Sequence, residues 1–177
     1  RLLLAIGVAV ACATPALALE VEKQVKVEAS ADDTWAAIRE FCSIAVWHPA
    51  VESCVLSQAK GRPMRSLSLK GGGTIVEEET ARDDAGRSYS YAIVESPLPV
   101  DHYQSTIKVV EDGGTVIEWE GTFDAKGAPD AEAVKVIEDY KPLDVQSAAM
   151  GLALCREIRN RYSEWIYLAD GDGGDEN

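Results

Sequence analysis

The chain has 177 residues, enough for one domain with a sizeable apolar core. Its 30 acidic residues outweigh 17 Lys and Arg, and the formal net charge of −13 excludes phosphate-backbone recognition as a main role and disfavours anionic membrane surfaces. The acidity reads as a solubility feature.

Residues 2–19, LLLAIGVAVACATPALAL, carry no charge. A short apolar run followed by Ala16-Leu17-Ala18 fits a secretory signal peptide cleaved after Ala18. The expected location is therefore the periplasm or the outside of the cell, with no stable membrane insertion after cleavage. Two rivals are an uncleaved anchor through residues 2–19 and a lipid anchor on Cys12, though Ala9-Val10-Ala11 lacks the Leu of a lipobox. Export implies an oxidising compartment. Cys42, Cys54 and Cys155 then remain, as a candidate Cys42–Cys54 bridge with one cysteine over, or as three buried thiols. Their spacing does not suggest zinc, and no metal or cofactor is expected.

Residues 20–29 alternate Val21, Val25 and Val27 with polar residues, as a first strand with one buried face does. Ser30-Ala31-Asp32-Asp33 is a helix start signal, and Trp35, Ile38 and Phe41 follow at helical spacing. The segment 43–50 predicts a second short helix ending near Pro49. Strands are predicted over Val51–Gln58, Met64–Leu69 and Thr74–Arg82. Lys60-Gly61-Arg62-Pro63 is a turn, and Lys70-Gly71-Gly72-Gly73 is a loop without the lysine and helix of a phosphate loop.

Residues 86–123 then read as three strands. Tyr89, Tyr91 and Ile93 alternate with Ser88, Ser90 and Ala92; Tyr103, Ser105, Ile107 and Val109 with Gln104, Thr106 and Lys108; and Ile117, Trp119 and Phe123 with Glu118, Glu120 and Thr122. Asp112-Gly113-Gly114 suits a tight hairpin, and Ser96-Pro97-Leu98-Pro99 a longer loop. The meander thus presents one aromatic face, with Trp119 as core or cavity wall. A helix is predicted over Ala131–Tyr140, and Pro142 breaks it. A further helix is expected over about 144–168, followed by a disordered acidic tail, 169–177.

One strand, a helical pair, six antiparallel strands and a C-terminal helix make an α+β order. The expected architecture is a seven-stranded curved antiparallel sheet wrapped around a C-terminal helix, with two small helices after the first strand, in a single domain over 19–168. A cavity left between sheet and helix suits an apolar ligand.

Four stretches carry a family resemblance: Trp35, Ile38 and Phe41; Trp47–Val51; Gly71–Glu78; and Tyr89–Val100 with Tyr103. Over roughly residues 20–140 the chain resembles the START-like, helix-grip proteins, which include polyketide cyclase/dehydrase and lipid-transport domains. The pattern is nearest to the abscisic acid receptor branch. That likeness implies a gate at Lys70–Gly73 and a latch at Ser96–Val100, which brings in Leu98 and Pro99. It also implies that Glu77, Tyr91, Ile93, Tyr103 and Ser105 face the pocket. His48 falls where those receptors place a ligand-binding lysine, and this and the glycine-rich gate are departures from the branch.

The resemblance implies a small hydrophobic ligand: a lipid, a polyketide or an isoprenoid-like molecule. Glu77 and His48 are the candidates for acid–base chemistry, the first as a buried carboxylate, the second as a group titrating near neutrality. The plain readings beside these are an edge-exposed acid and a surface histidine at a helix end. Tyr91 and Tyr103 suit a core as well as a site. There is no G-x-S-x-G, H-E-x-x-H or nucleotide fingerprint. A non-catalytic carrier, a cyclase/dehydrase-type enzyme using Glu77 or His48, and an interaction protein with a filled core are the three functional readings.

Overall fold

In the computed structural model, which describes residues 18–140, the first valine alternation becomes strand β1, Leu19–Val27, with Val21 and Val27 buried. The signal segment up to residue 17, the helix expected over 144–168 and the acidic tail lie outside the described residues. Helix α1, Ala31–Ile38, is capped by Ser30, whose hydroxyl accepts from the Asp33 amide at 3.1 Å and donates to its carboxylate at 2.7 Å. Its apolar side buries Trp35 and Ile38. Helix α2 is a single turn, Ile44–Trp47, ending one residue before His48.

Six strands follow: β2 Val51–Ala59, β3 Arg62–Leu69, β4 Thr74–Asp83, β5 Ser88–Glu95, β6 Val100–Glu111 and β7 Thr115–Ala125. Strand β3 starts two residues earlier than the sequence suggests. Lys60 and Gly61 are both left-handed (φ 52° and 80°), so they alone make the turn and Arg62 and Pro63 are already paired. His102 lies within β6, at the register shift between Asp101 and Gln104. Helix α3, Asp130–Tyr140, follows β7 and buries Ala133 and Ile137.

All neighbouring strands are antiparallel, in the order β1-β7-β6-β5-β4-β3-β2. Register shifts at Val76/Glu77, Glu79/Ala81 and Asp101/Gln104 bend β4 and β6, as bulges do, and give the sheet a concave side. That side carries Tyr89, Tyr91, Ile107, Ile117, Trp119 and Phe123, all buried. The α+β helix-grip architecture read from the sequence is the one observed.

The β5–β6 ladder ends at Ala92–Gln104. Beyond it Ile93–Glu95 and Val100–Tyr103 are not paired with each other, and the sheet parts around the loop 96–99. At that end Gly73, with φ +96°, packs so close to Pro97 that a Cβ on it would lie 3.2 Å from the proline ring. The two loops named above as gate and latch therefore meet.

Candidate functional site

The concave face is apolar except at a few polar side chains. Strand β3 sends Arg65 inward, in phase with Leu67, and the β3–β4 register sets it opposite Glu77. Arg65 Nε donates to Glu77 Oε2 at 2.5 Å, and Nη1 donates to the Phe41 carbonyl at 2.5 Å. The guanidinium also lies 4.0 Å from the Phe41 ring centroid and 4.8 Å from that of Tyr91. Arg65 is fully buried and Glu77 3% exposed.

Burial works against the Arg65 charge, but Glu77 more than offsets it and holds the guanidinium fully protonated. Burial pushes the Glu77 carboxyl up, and Arg65 opposes that push. These two effects disagree about the state of Glu77. The 2.5 Å contact decides for the ion pair, because a neutral Glu77 would leave a guanidinium uncompensated among aromatic rings.

A second polar group sits beside the pair. Trp119 Nε1 donates to Ser105 Oγ at 2.8 Å and to the Tyr91 hydroxyl at 3.0 Å, while Ser105 donates to the Glu120 carbonyl. Tyr91 packs 6.3 Å from Tyr103, which stacks on Phe123 at 6.0 Å. Burial raises Tyr91 well above the ordinary phenol value and Tyr103 to about 12, so both keep their protons near neutrality.

His48 joins the face from the end of α2. Its ring lies 5.9 Å from Trp119 and 4.8 Å from Tyr140. Nδ1 accepts from the Ala50 amide at 3.2 Å, which leaves Nε2 as the protonated nitrogen, donating to the Tyr140 carbonyl at 2.7 Å. Burial lowers its pKa from 6.5 to about 4 against the pull of that carbonyl, so the ring is neutral and both nitrogens are engaged.

Five buried side-chain atoms among the described residues have no hydrogen-bond partner: Thr34 Oγ1 and Trp35 Nε1 on α1, and, nearer the ion pair and His48, Arg65 Nη2 and the hydroxyls of Tyr89 and Tyr140. Burial pushes the Tyr89 hydroxyl up, and the charge of Arg65 and a hydrogen-bonding approach of its guanidinium oppose that push, so the two groups are neighbours, although neither Nη2 nor that hydroxyl closes a hydrogen bond of normal geometry. Unpaired buried donors are uncommon and mark places where a further oxygen can be received.

The structure thus brings Glu77, Tyr91, Tyr103, Ser105 and Trp119 into one connected set, with His48 against Trp119. Ile93, Leu98 and Pro99 stand apart at the parted end of the sheet. There Ile93, Val94, Val100, Tyr103 and Lys126 line a depression of about 150 Å³. Leu98 packs on the core and the Pro99 carbonyl accepts from the Lys126 amide at 2.9 Å. Another depression, of about 210 Å³, lies among Ser90, Gln104, Thr106, Glu120 and Thr122 on the outward side chains of β5–β7. Cys42 and Cys54 are joined in a disulfide. His102 is exposed and bonds Asp124 at 2.8 Å, away from the aromatic face.

Arg65 is the site residue that the sequence announces least. It alternates in phase with Leu67 and Leu69, which is the one sequence signal for an inward side chain, but nothing local shows that a carboxylate twelve residues on faces it. No group of His, Cys, Asp and Glu suited to a metal occurs among the described residues.

Residues 18–147 match the family described as polyketide cyclase / dehydrase and lipid transport. Among solved structures the chain is similar to the protein XoxI from Bacillus cereus, with 28% identity, a TM-score of 0.69, and 76% of this chain and 95% of that one covered. An uncharacterised protein from Bacillus thuringiensis is 29% identical with a TM-score of 0.65, over 76% and 95% of the two chains. The Zhui aromatase/cyclase from Streptomyces sp. R1128 shares the fold at 21% identity and a TM-score of 0.63, over 79% and 96%. No curated protein matches the chain.

Proposed function

The chain belongs to the polyketide cyclase / dehydrase and lipid transport family, and from that premise we propose that it is an exported, non-catalytic binder of a small hydrophobic molecule bearing an oxygen function. The observation that carries this reading is the Arg65–Glu77 pair on an aromatic face, with Arg65 Nη2 left without a partner. The apolar body of the ligand would lie on Trp119, Tyr103 and Phe123, and its carbonyl, hydroxyl or carboxyl oxygen would reach Nη2. Loops 70–73 and 96–99 would admit it at the parted end of the sheet. The Cys42–Cys54 disulfide accords with an oxidising compartment.

Cyclase/dehydrase-type catalysis by His48 or Glu77 has weaker support. A base needs a free lone pair near its optimum pH. The basic nitrogen of His48 already accepts a backbone hydrogen bond, and Glu77 is held by a guanidinium.

Native mass spectrometry of protein purified from its own host, followed by organic extraction, tests the proposal. The expected result is a retained apolar molecule carrying at least one oxygen. A clean ligand-free mass, with no thermal shift across a panel of lipids and polyketides, would overturn it. Turnover of the retained molecule that is lost in Glu77→Gln or His48→Gln would move the assignment to the enzyme.

A further inference from the structure

The seven-stranded sheet has two edges, and they are built differently. Edge β1 reads LEVEKQVKV and carries exposed Glu20, Glu22 and Lys26, the charges with which natural edges discourage pairing. Edge β2 reads VESCVLSQA, with Glu52 as its one charge. From Ser53 to Ala59 it has no charge and no proline, and the bulge lies before this run, at Val51/Ser53. Val55 and Leu56 are 65% and 59% exposed. On a protein of net charge −13 this is an uncharged segment with two exposed apolar side chains and no strand on its outer side among the described residues.

The backbone phase of this edge follows from its hairpin. The two-residue turn at Lys60-Gly61 makes Ala59 and Arg62 the closing hydrogen-bonded pair. Pairs then alternate, so Gln58 and Pro63 form a non-hydrogen-bonded pair, as Pro63 requires because it has no N–H. Gln58, Leu56 and Cys54 therefore turn their N–H and C=O groups outward, away from β3.

We infer that β2 is an interaction edge for a second copy of this chain, paired antiparallel about a two-fold axis at Leu56. In that register Leu56 stands opposite Leu56 of the second copy, and Cys54 opposite Gln58. Every outward backbone group of this run then meets its complement, in roughly six hydrogen bonds. Beyond the two ends of that ladder, at the bulge before Ser53 and in the turn after Ala59, Glu52 of each copy then lies on the side of Lys60 of the other, so opposite charges flank the neutral run. A two-fold interface of this kind is self-complementary and closes at the dimer. One strand pair buries little area, which places the dimer in the weak, concentration-dependent class. The inference is independent of what the concave face binds.

Sedimentation velocity over a wide concentration range tests it. The wild-type chain should shift from monomer to dimer as concentration rises. Leu56→Lys, which sets two like charges face to face on the axis, should stay monomeric while keeping its circular dichroism and melting transition. Glu52→Lys and Lys60→Glu should each weaken the dimer by roughly tenfold, and the two together should restore it. Hydrogen exchange should show the Cys54, Leu56 and Gln58 amides protected in the dimer and open in the monomer. A wild-type chain that stays monomeric, a dimer indifferent to Leu56→Lys, a charge reversal that fails to restore pairing, or those amides protected in a monomer would each overturn the inference.

Discussion

Arg65 and Glu77 form a buried pair whose worth lies in being intact. Desolvation and Coulomb attraction nearly cancel for two charges brought inside together, but one charge left alone is costly. Arg65→Met alone should strand the carboxylate and cost about 3–5 kcal/mol, and Glu77→Leu alone should do the same to the guanidinium. The double variant removes both charges at similar volume. It still leaves the Phe41 carbonyl without its donor, a loss of about 1–3 kcal/mol. It should therefore fall well short of the sum of the singles, and urea unfolding in a double-mutant cycle measures that gap. Additive losses would show that the two side chains are not a pair in solution. The double variant should also lose its preference for oxygen-bearing ligands, because Nη2 goes with the guanidinium.

At the scale of elements, His48 is a fastener. It sits at the end of α2 and reaches the last residue of α3 through Nε2 and the Tyr140 carbonyl. Its protonation therefore bears on how the helical pair and α3 hold together over the sheet. The folded-state pKa of about 4 lies below the ordinary 6.5. Between those values the unfolded chain binds a proton that the folded chain does not. Stability from this group is thus complete above about pH 6.5, falls as pH falls towards 4, and levels off below. The whole change is about 3 kcal/mol. Unfolding titrations of the wild type and His48→Gln should differ in slope across that window and run parallel above it. Equal slopes would mean that His48 titrates normally and is not the fastener described.

Across the whole molecule, the strands are legible because one face of each is apolar and the other wet, which leaves a period of two. Inward Glu77 came from resemblance rather than periodicity, since Glu77, Glu78 and Glu79 read alike until bulges and register separate them. Arg65 and the tie from His48 to Tyr140 were not legible, because each depends on a partner that only tertiary packing supplies; the tie spans 92 residues. The same packing sets the last test, because a bound ligand contributes to the stability of the entire domain. A molecule that binds only the folded state adds about 2.7 kcal/mol at a hundredfold excess over Kd, and about 1.4 kcal/mol more for each further tenfold. Protein unfolded, stripped by organic extraction and refolded with its disulfide oxidised should melt below the protein as isolated. Adding the extracted fraction back should raise the transition in proportion to the logarithm of its concentration, and the Arg65→Met/Glu77→Leu variant should respond less. A filled core predicts the same transition before stripping, after stripping and after add-back. That outcome would remove the ligand from the account and leave the aromatic face as packing alone.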